Sequence, residues 1–318
     1  MDNLRRMAER HLERLRRRTK DDTLILDLRD LTNAIIEEGN RLSAIVPPKP
    51  PPSRAVTSLD RNEIARIFHL TRDTPMAYEF EASPREPMFL PPHLEAVLSD
   101  YDLAMGRTTT TEASSRSRID AIILLTLAQM KKDVAADPRS SVSSVRSTHS
   151  LHIQHETYVS MPWEFPDGLY VLRGKVDCSV WYENPDCLET NCVLVEAKRL
   201  GDVSMAVPQC LTYMAMVYWT RKRAGLSDLS VWGIATDSDY WNFIHIRPGG
   251  TFATEIYIYH NTPLKIMCMI SKLYRRVAQT AELPTKNKRW TAASGISFAS
   301  YETALEETQL KDADELTE

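Results

Sequence analysis

Three short stretches carry residue types that can do chemistry together. They are Gly174-Lys175-Val176-Asp177, Val195-Glu196-Ala197-Lys198 and Gln209-Cys210-Leu211-Thr212-Tyr213. In an extended strand, residues two apart point to the same face. Glu196 and Lys198 therefore project together with Leu194, while Val195 and Ala197 face the opposite layer. Asp177 lies on the preceding strand, and a hairpin between the two strands sets its carboxylate beside Glu196. Two adjacent carboxylates repel unless a cation lies between them. Ligands made only of oxygen favour a hard ion, Mg²⁺ or Mn²⁺. A lysine next to such a pair can hold or deprotonate a water, or neutralise charge developing on a phosphate. On a following helix Gln209 and Tyr213 are four apart and share one face. From there they can orient Lys198 or a phosphate by hydrogen bonds.

Positioning these residues needs strands and helices in a definite order. Residues 111–135 read as a strongly apolar helix, with Ile119, Ile122, Ile123, Leu124, Leu125, Leu127 and Met130 covering most of its circumference. A helix of that kind belongs in a core. A Ser-rich loop is predicted at 139–150. The texture then changes to β-branched and aromatic residues, predicting strands over His152–Ser160, Tyr170–Tyr182 and Cys192–Ala197. A helix is predicted from Pro208 to Arg223, with the proline in its first turn. Ser230–Thr236 and Tyr240–Ile246 read as a hairpin across Asp237-Ser238-Asp239, followed by a strand over Phe252–Tyr259 and a helix over Pro263–Ala281. The order implies an α/β, or mixed α+β, fold with a central mixed sheet flanked by helices. Two shorter helices are predicted upstream, Arg61–Leu70 and His93–Leu103.

The flanks differ in character. Residues 1–46 read as an N-terminal helical extension. Leu24, Leu28, Leu31, Ile35, Leu42 and Ile45 form a heptad seam that can make a coiled coil, and so a homodimer, or dock on the chain's own core. A Pro-rich linker is placed at 47–58. The main domain spans 59–282, with its core at about 111–280, and 283–318 is a polar acidic tail.

The order G-x-x-D, E-x-K, Q-x-x-x-Y resembles the PD-(D/E)XK nuclease superfamily, in the motif style of its RecB-like branch. It is also similar to the nuclease-like domains of many filamentous-fungal proteins, which carry a Glu, then Arg and Ile-Asp, on the first core helix. That segment here holds Glu112, Arg116, Ile119 and Asp120. The resemblance covers roughly 111–280 and implies a restriction-endonuclease-like core. It further implies a Mg²⁺- or Mn²⁺-dependent nuclease acting on nucleic acid, DNA ahead of RNA. Asp177, Glu196 and Glu112 would bind the metal, Lys198 would be the catalytic lysine, and Gln209 and Tyr213 would support the site. Taken singly, each motif is ordinary: an exposed strand pair, a solvent-facing acid, a half-buried helix face. Their joint order is what carries weight.

Other residues have plain structural readings. Arg116 and Asp120 are spaced as an i,i+4 pair. Arg199 faces away from Lys198. His152, His155 and Glu156 suit a solvated strand edge, and Trp232, Tyr240, Trp241, Tyr257 and Tyr259 suit sheet packing rather than base stacking.

Composition sets outer bounds. The chain has 318 residues, 43% hydrophobic and 26% charged, with a formal net charge of -4, as in a soluble globular protein. No apolar run reaches the ~18 residues of a membrane span, and the Arg-rich N-terminus lacks the apolar run of a secretory signal. Residues 1–20 hold eight Arg or Lys against three acids, so a basic arm can contact phosphate despite the net charge. The five cysteines are odd in number and include no C-x-x-C pair, which argues against a disulfide framework, structural zinc or an iron–sulfur cluster. A reducing compartment, nucleus or cytoplasm, is expected. The alternative to an enzyme is a catalytically inactive member of the fold, binding nucleic acid or a protein partner. A toxin or effector nuclease is a third reading.

Overall fold

The computed structural model describes residues 51–81, 87–106, 111–182, 188 and 191–282. The predicted N-terminal extension with its 24–45 seam, and the tail at 283–318, lie outside the described residues. In chain order the elements are β1 (Ser53–Ala55), α1 (Arg61–Ile67), β2 (Thr71–Arg72), α2 (Leu94–Met105), α3 (Glu112–Ala136) and α4 (Val142–Ser150). Then come β3 (Leu151–Phe165), β4 (Gly168–Tyr182), β5 (Asn191–Ala197), α5 (Val203–Arg223), β6 (Val231–Thr236), β7 (Tyr240–Ile246), β8 (Thr251–Ile258) and α6 (Pro263–Glu282).

Among the described residues all eight strands join one mixed sheet, in the order β1-β4-β5-β6-β7-β8-β2, with β3 paired to β4. The β3–β4 and β4–β5 pairs are antiparallel. The β5–β6 pair is parallel, as a crossover through α5 requires. Ser53–Ala55, inside the span read as linker, runs parallel to Val171–Arg173. No helix among the described residues is long and apolar enough to cross a membrane.

Each face of the sheet has its own core. On one face Cys178, Val180, Val195, Ile234 and Phe243 pack with Ile119 and Ile122 of α3 and Ile270 and Leu273 of α6. On the other, Leu172, Leu194, Ala235 and Ile244 pack with Leu211, Met214 and Val217 of α5 and Ile64 of α1. Strand alternation explains the split: Leu194 goes one way, Val195 and Ala197 the other. In β4 the alternation breaks. Leu172 and Val176 face the α5 side, but Cys178 and Val180 face the α3 side. The changeover falls at Asp177. Across the ladder, between the His155–Cys178 and Thr157–Val176 pairs, Glu156 takes a left-handed φ of 53°, a strained state for a residue with a Cβ.

Three local readings are corrected. Residues 142–150 form a helix, not a loop. The Ser141 side chain accepts from the Ser144 N–H at 3.0 Å, a capping bond that offsets the weak helix propensity of serine. Helix α5 begins at Val203, so Pro208 stands inside it rather than in its first turn. The N–H that proline lacks would have met the carbonyl of Ser204, an exposed residue that water can serve. Helix α3 is buried on one side only: Ile119, Ile122 and Ile123 are inside, while Leu124 is 43% exposed.

Candidate active site

Asp177 and Glu196 sit at the same level of the sheet. The β4–β5 ladder pairs Cys178 with Val195 and Ser179 with Leu194, and one further step sets Asp177 opposite Glu196. The Asp177 Oδ2 accepts the backbone N–H of Ala197 at 2.8 Å, which fixes that carboxylate against the end of β5. Glu196 is 1% exposed. Its Oε1 accepts from Lys198 Nζ at 2.7 Å, and the same ammonium donates to the Ala197 carbonyl at 3.1 Å. Its Oε2 is buried and has no hydrogen-bond partner. The backbone of Lys198 is itself placed by its N–H, which donates to the Thr236 carbonyl at 2.9 Å.

Burial, and then the adjacent Asp177 carboxylate, push Glu196 up to about 8. Burial also raises Asp177, against the pull of the Ala197 N–H and of Arg116 and Lys198. A carboxyl raised that far is mostly protonated at neutral pH while no cation stands between the two acids, and Arg116 and Lys198 offset the charge that remains. Two carboxylates with one orphaned oxygen fit a hard divalent ion that keeps water and substrate oxygens in its other positions. Among the described residues, no group of three or more Asp, Glu, His or Cys side chains is arranged to hold a metal. Glu112, the third ligand expected from the first helix, shares the Arg116 Nη2 with Asp177. Glu112 is the first residue of α3, and its carboxylate accepts from Arg116 at 2.7 Å.

Arg116 is the residue that the sequence reading underrated. It does not pair with Asp120. Its guanidinium hydrogen-bonds Asp177 Oδ1, holds Glu112, and approaches Glu156 at 3.7 Å. The partner was invisible in the sequence because Asp177 is 61 residues away. Asp120 instead stands 3.6 Å from His155, and burial raises its carboxyl above the usual range. These residues wall a cavity of about 200 Å³ on the α3 side of the sheet, with Arg116, Asp120, His155, Glu156 and Asp177 around it.

Gln209 and Tyr213 support the site at one remove. Gln209 Nε2 donates to the Tyr213 hydroxyl at 3.3 Å, and that hydroxyl donates to the Lys175 carbonyl at 2.9 Å. Neither hydrogen bond reaches Lys198. Gly174 lets the ring in: a Cβ there would lie 2.5 Å from Tyr213 Cε1 and Oη. Lys175 itself turns outward to Glu156 at 2.7 Å.

The loop after Lys198 has an anchor that also escaped the sequence reading. Asp237 is fully buried, and its carboxylate accepts the N–H groups of Gly201 at 2.8 Å, Asp239 at 3.1 Å and Tyr240 at 2.7 Å. A turn-forming acid was legible in the sequence, but its long-range bond to Gly201 was not. Arg199 is an exposed partner of Asp202. Trp232, Trp241 and Tyr257 are packing residues, each under a tenth exposed.

No protein-family model matches the sequence, and no curated protein is significantly similar to it.

Proposed function

We propose that this chain is a metal-dependent nuclease that hydrolyses phosphodiester bonds in nucleic acid, DNA ahead of RNA. The observation that carries the reading is the Asp177–Glu196 pair, level on adjacent strands, with Lys198 on Glu196 and the Glu196 Oε2 left without a partner. The run of α3, three antiparallel strands, α5 and a parallel strand supports a restriction-endonuclease-like core.

Asp177 and Glu196 would hold Mg²⁺ or Mn²⁺. When bound, such an ion activates water as a nucleophile and neutralises charge on the phosphate. Lys198 has three N–H donors, of which Glu196 and the Ala197 carbonyl take two. The third is left for the attacking water or a phosphate oxygen. Tyr213 holds the Lys175 carbonyl, and so the backbone of β4 just before Asp177. The basic segment at 1–20 would add phosphate contacts, the 24–45 seam would pair two copies, and a nuclear or cytoplasmic setting suits the free thiols.

A second reading has its own observation. Arg116 and Lys198 already pair with the two carboxylates, so a chain that binds nucleic acid or a protein without cutting needs no metal. One assay separates the two. Purified protein is incubated with plasmid, single-stranded DNA and RNA in Mg²⁺, Mn²⁺ or EDTA, beside Lys198→Ala and Asp177→Ala. Metal-dependent cleavage absent from both variants supports the nuclease. Cleavage that persists in both removes the site assignment, and binding without cleavage favours the second reading.

A further inference from the structure

The Arg116 guanidinium has more to do than a structural ion pair requires. It meets carboxylates from three elements: Glu112 on α3, Glu156 on β3 and Asp177 on β4. Its Nε is buried without a hydrogen-bond partner, although the side chain as a whole is about a third exposed. One of its acceptors, Asp177 Oδ1, is an oxygen that the proposed divalent ion would need. A cation and a guanidinium cannot share that oxygen without repelling each other. Arg116 also borders the cavity that opens beside Asp177, so a phosphate entering it would lie within reach of the guanidinium.

We infer that Arg116 is a displaceable countercharge. It neutralises Asp177 while the site is empty, and binding of a divalent ion releases it to clasp a phosphate oxygen of the substrate. Its planar fork suits both partners, a carboxylate and a phosphate. Glu112 and Glu156 keep the guanidinium at the cavity after release, so its movement is a pivot rather than an escape. The inference rests on the proposed metal site, and it makes two predictions that run in opposite directions. Removing the guanidinium should tighten metal binding, because the ion no longer competes for Asp177. It should also slow turnover, because the phosphate loses a partner.

The test is titration of the full-length protein with Mn²⁺, followed by the electron paramagnetic resonance of the free ion, for wild type, Arg116→Gln and Arg116→Lys. Arg116→Gln is expected to bind Mn²⁺ about tenfold more tightly, the worth of one charge-assisted hydrogen bond, and Arg116→Lys to stay near wild type. At saturating Mn²⁺, plasmid cleavage by Arg116→Gln is expected to fall about tenfold or more. A misfolded variant would lose both properties together, so the opposed changes mark the displacement. Equal or weaker Mn²⁺ affinity in Arg116→Gln overturns the inference and leaves the metal site standing, and so does unchanged cleavage. Absence of Mn²⁺ binding in wild type and variant alike overturns the metal site and the inference with it. If wild type binds Mn²⁺ but cleaves nothing, the catalytic role of Arg116 is overturned, and the order of the affinities alone decides the displacement.

Discussion

The guanidinium of Arg116 lies against the carboxylate of Asp177, joining the N-terminal part of α3 to the point where β4 changes faces. That contact reorders the acids of the site. Asp177 and Glu196 remain together, and Glu112 shares the Arg116 Nη2 with Asp177. Substitution can separate the two roles. Asp177→Asn is expected to abolish Mn²⁺ binding. Glu112→Gln is expected to retain it and to cost under about 0.5 kcal/mol of stability, the scale of a half-exposed i,i+4 pair. Calorimetric titration and thermal unfolding measure both, and loss of Mn²⁺ binding in Glu112→Gln would restore Glu112 as a ligand.

Glu196 predicts a pH dependence for the metal-free protein. Its carboxyl stands at about 8 in the fold, against an ordinary 4.5. A raised acid favours the protonated form, so its contribution is complete below 4.5 and is lost as pH rises through about 8. The slope in that window approaches ~1.4 kcal/mol per pH unit. In EDTA, Tm should therefore fall between pH 5 and pH 8, and Glu196→Gln should flatten the fall. Added Mg²⁺ should raise Tm most at the alkaline end. A wild-type curve superimposable on that of Glu196→Gln would contradict the burial argument.

A second buried charge cluster predicts a stability effect away from the site. Glu79 accepts from Arg247 Nε at 2.9 Å and from its terminal nitrogen at 2.6 Å, and His245 Nδ1 lies 2.6 Å away. Against the upward push of burial, the Arg247 hydrogen bond foremost holds Glu79 down at about 2. Its contribution is present above 4.5 and fades as pH falls toward 2. Glu79→Gln leaves the buried Arg247 with the Asp73 carboxylate, 2.7 Å away, but without the charge of Glu79, a loss of about 1.5–3 kcal/mol. The denaturant midpoint at pH 7 should drop accordingly, with less further loss on acidification than in wild type. A midpoint within error of wild type would show that the pair is not a structural clamp.

Gly174 and Tyr213 make a packing prediction. An added Cβ would meet a rigid ring that is only 1% exposed. Gly174→Ala should cost about 1–3 kcal/mol, while Tyr213→Phe should lose about 1 kcal/mol through the Lys175 carbonyl. Because the two residues touch, the double variant should be non-additive. Additive unfolding energies from chemical denaturation would mean that the contact has no energetic weight.

Much of the frame was legible in the sequence, because strand alternation and helical spacing are local signals. The hairpin at 231–246, the helix at 263–282 and the shared face of Leu194 and Glu196 all follow from periods of two and 3.6. The hairpin expectation also set Asp177 beside Glu196. What periodicity misreads is chemistry that overrides propensity. Ser141 caps a helix in a stretch whose serines look like a loop, and an exposed Ser204 carbonyl lets α5 run through Pro208.

The sequence by itself determined the mixed α/β texture, the order of elements from 151 to 282 and the proximity of two acids with a lysine. Only the tertiary structure decided their charge partners. Ion pairs depend on where side chains meet in space, and no local period reports that Arg116 reaches Asp177 rather than Asp120, or that Asp237 secures Gly201. Burial is likewise a property of the assembled layers. It is burial that turns Glu196 from an ordinary strand carboxylate into one that sits at about 8, since desolvation penalises its charged form.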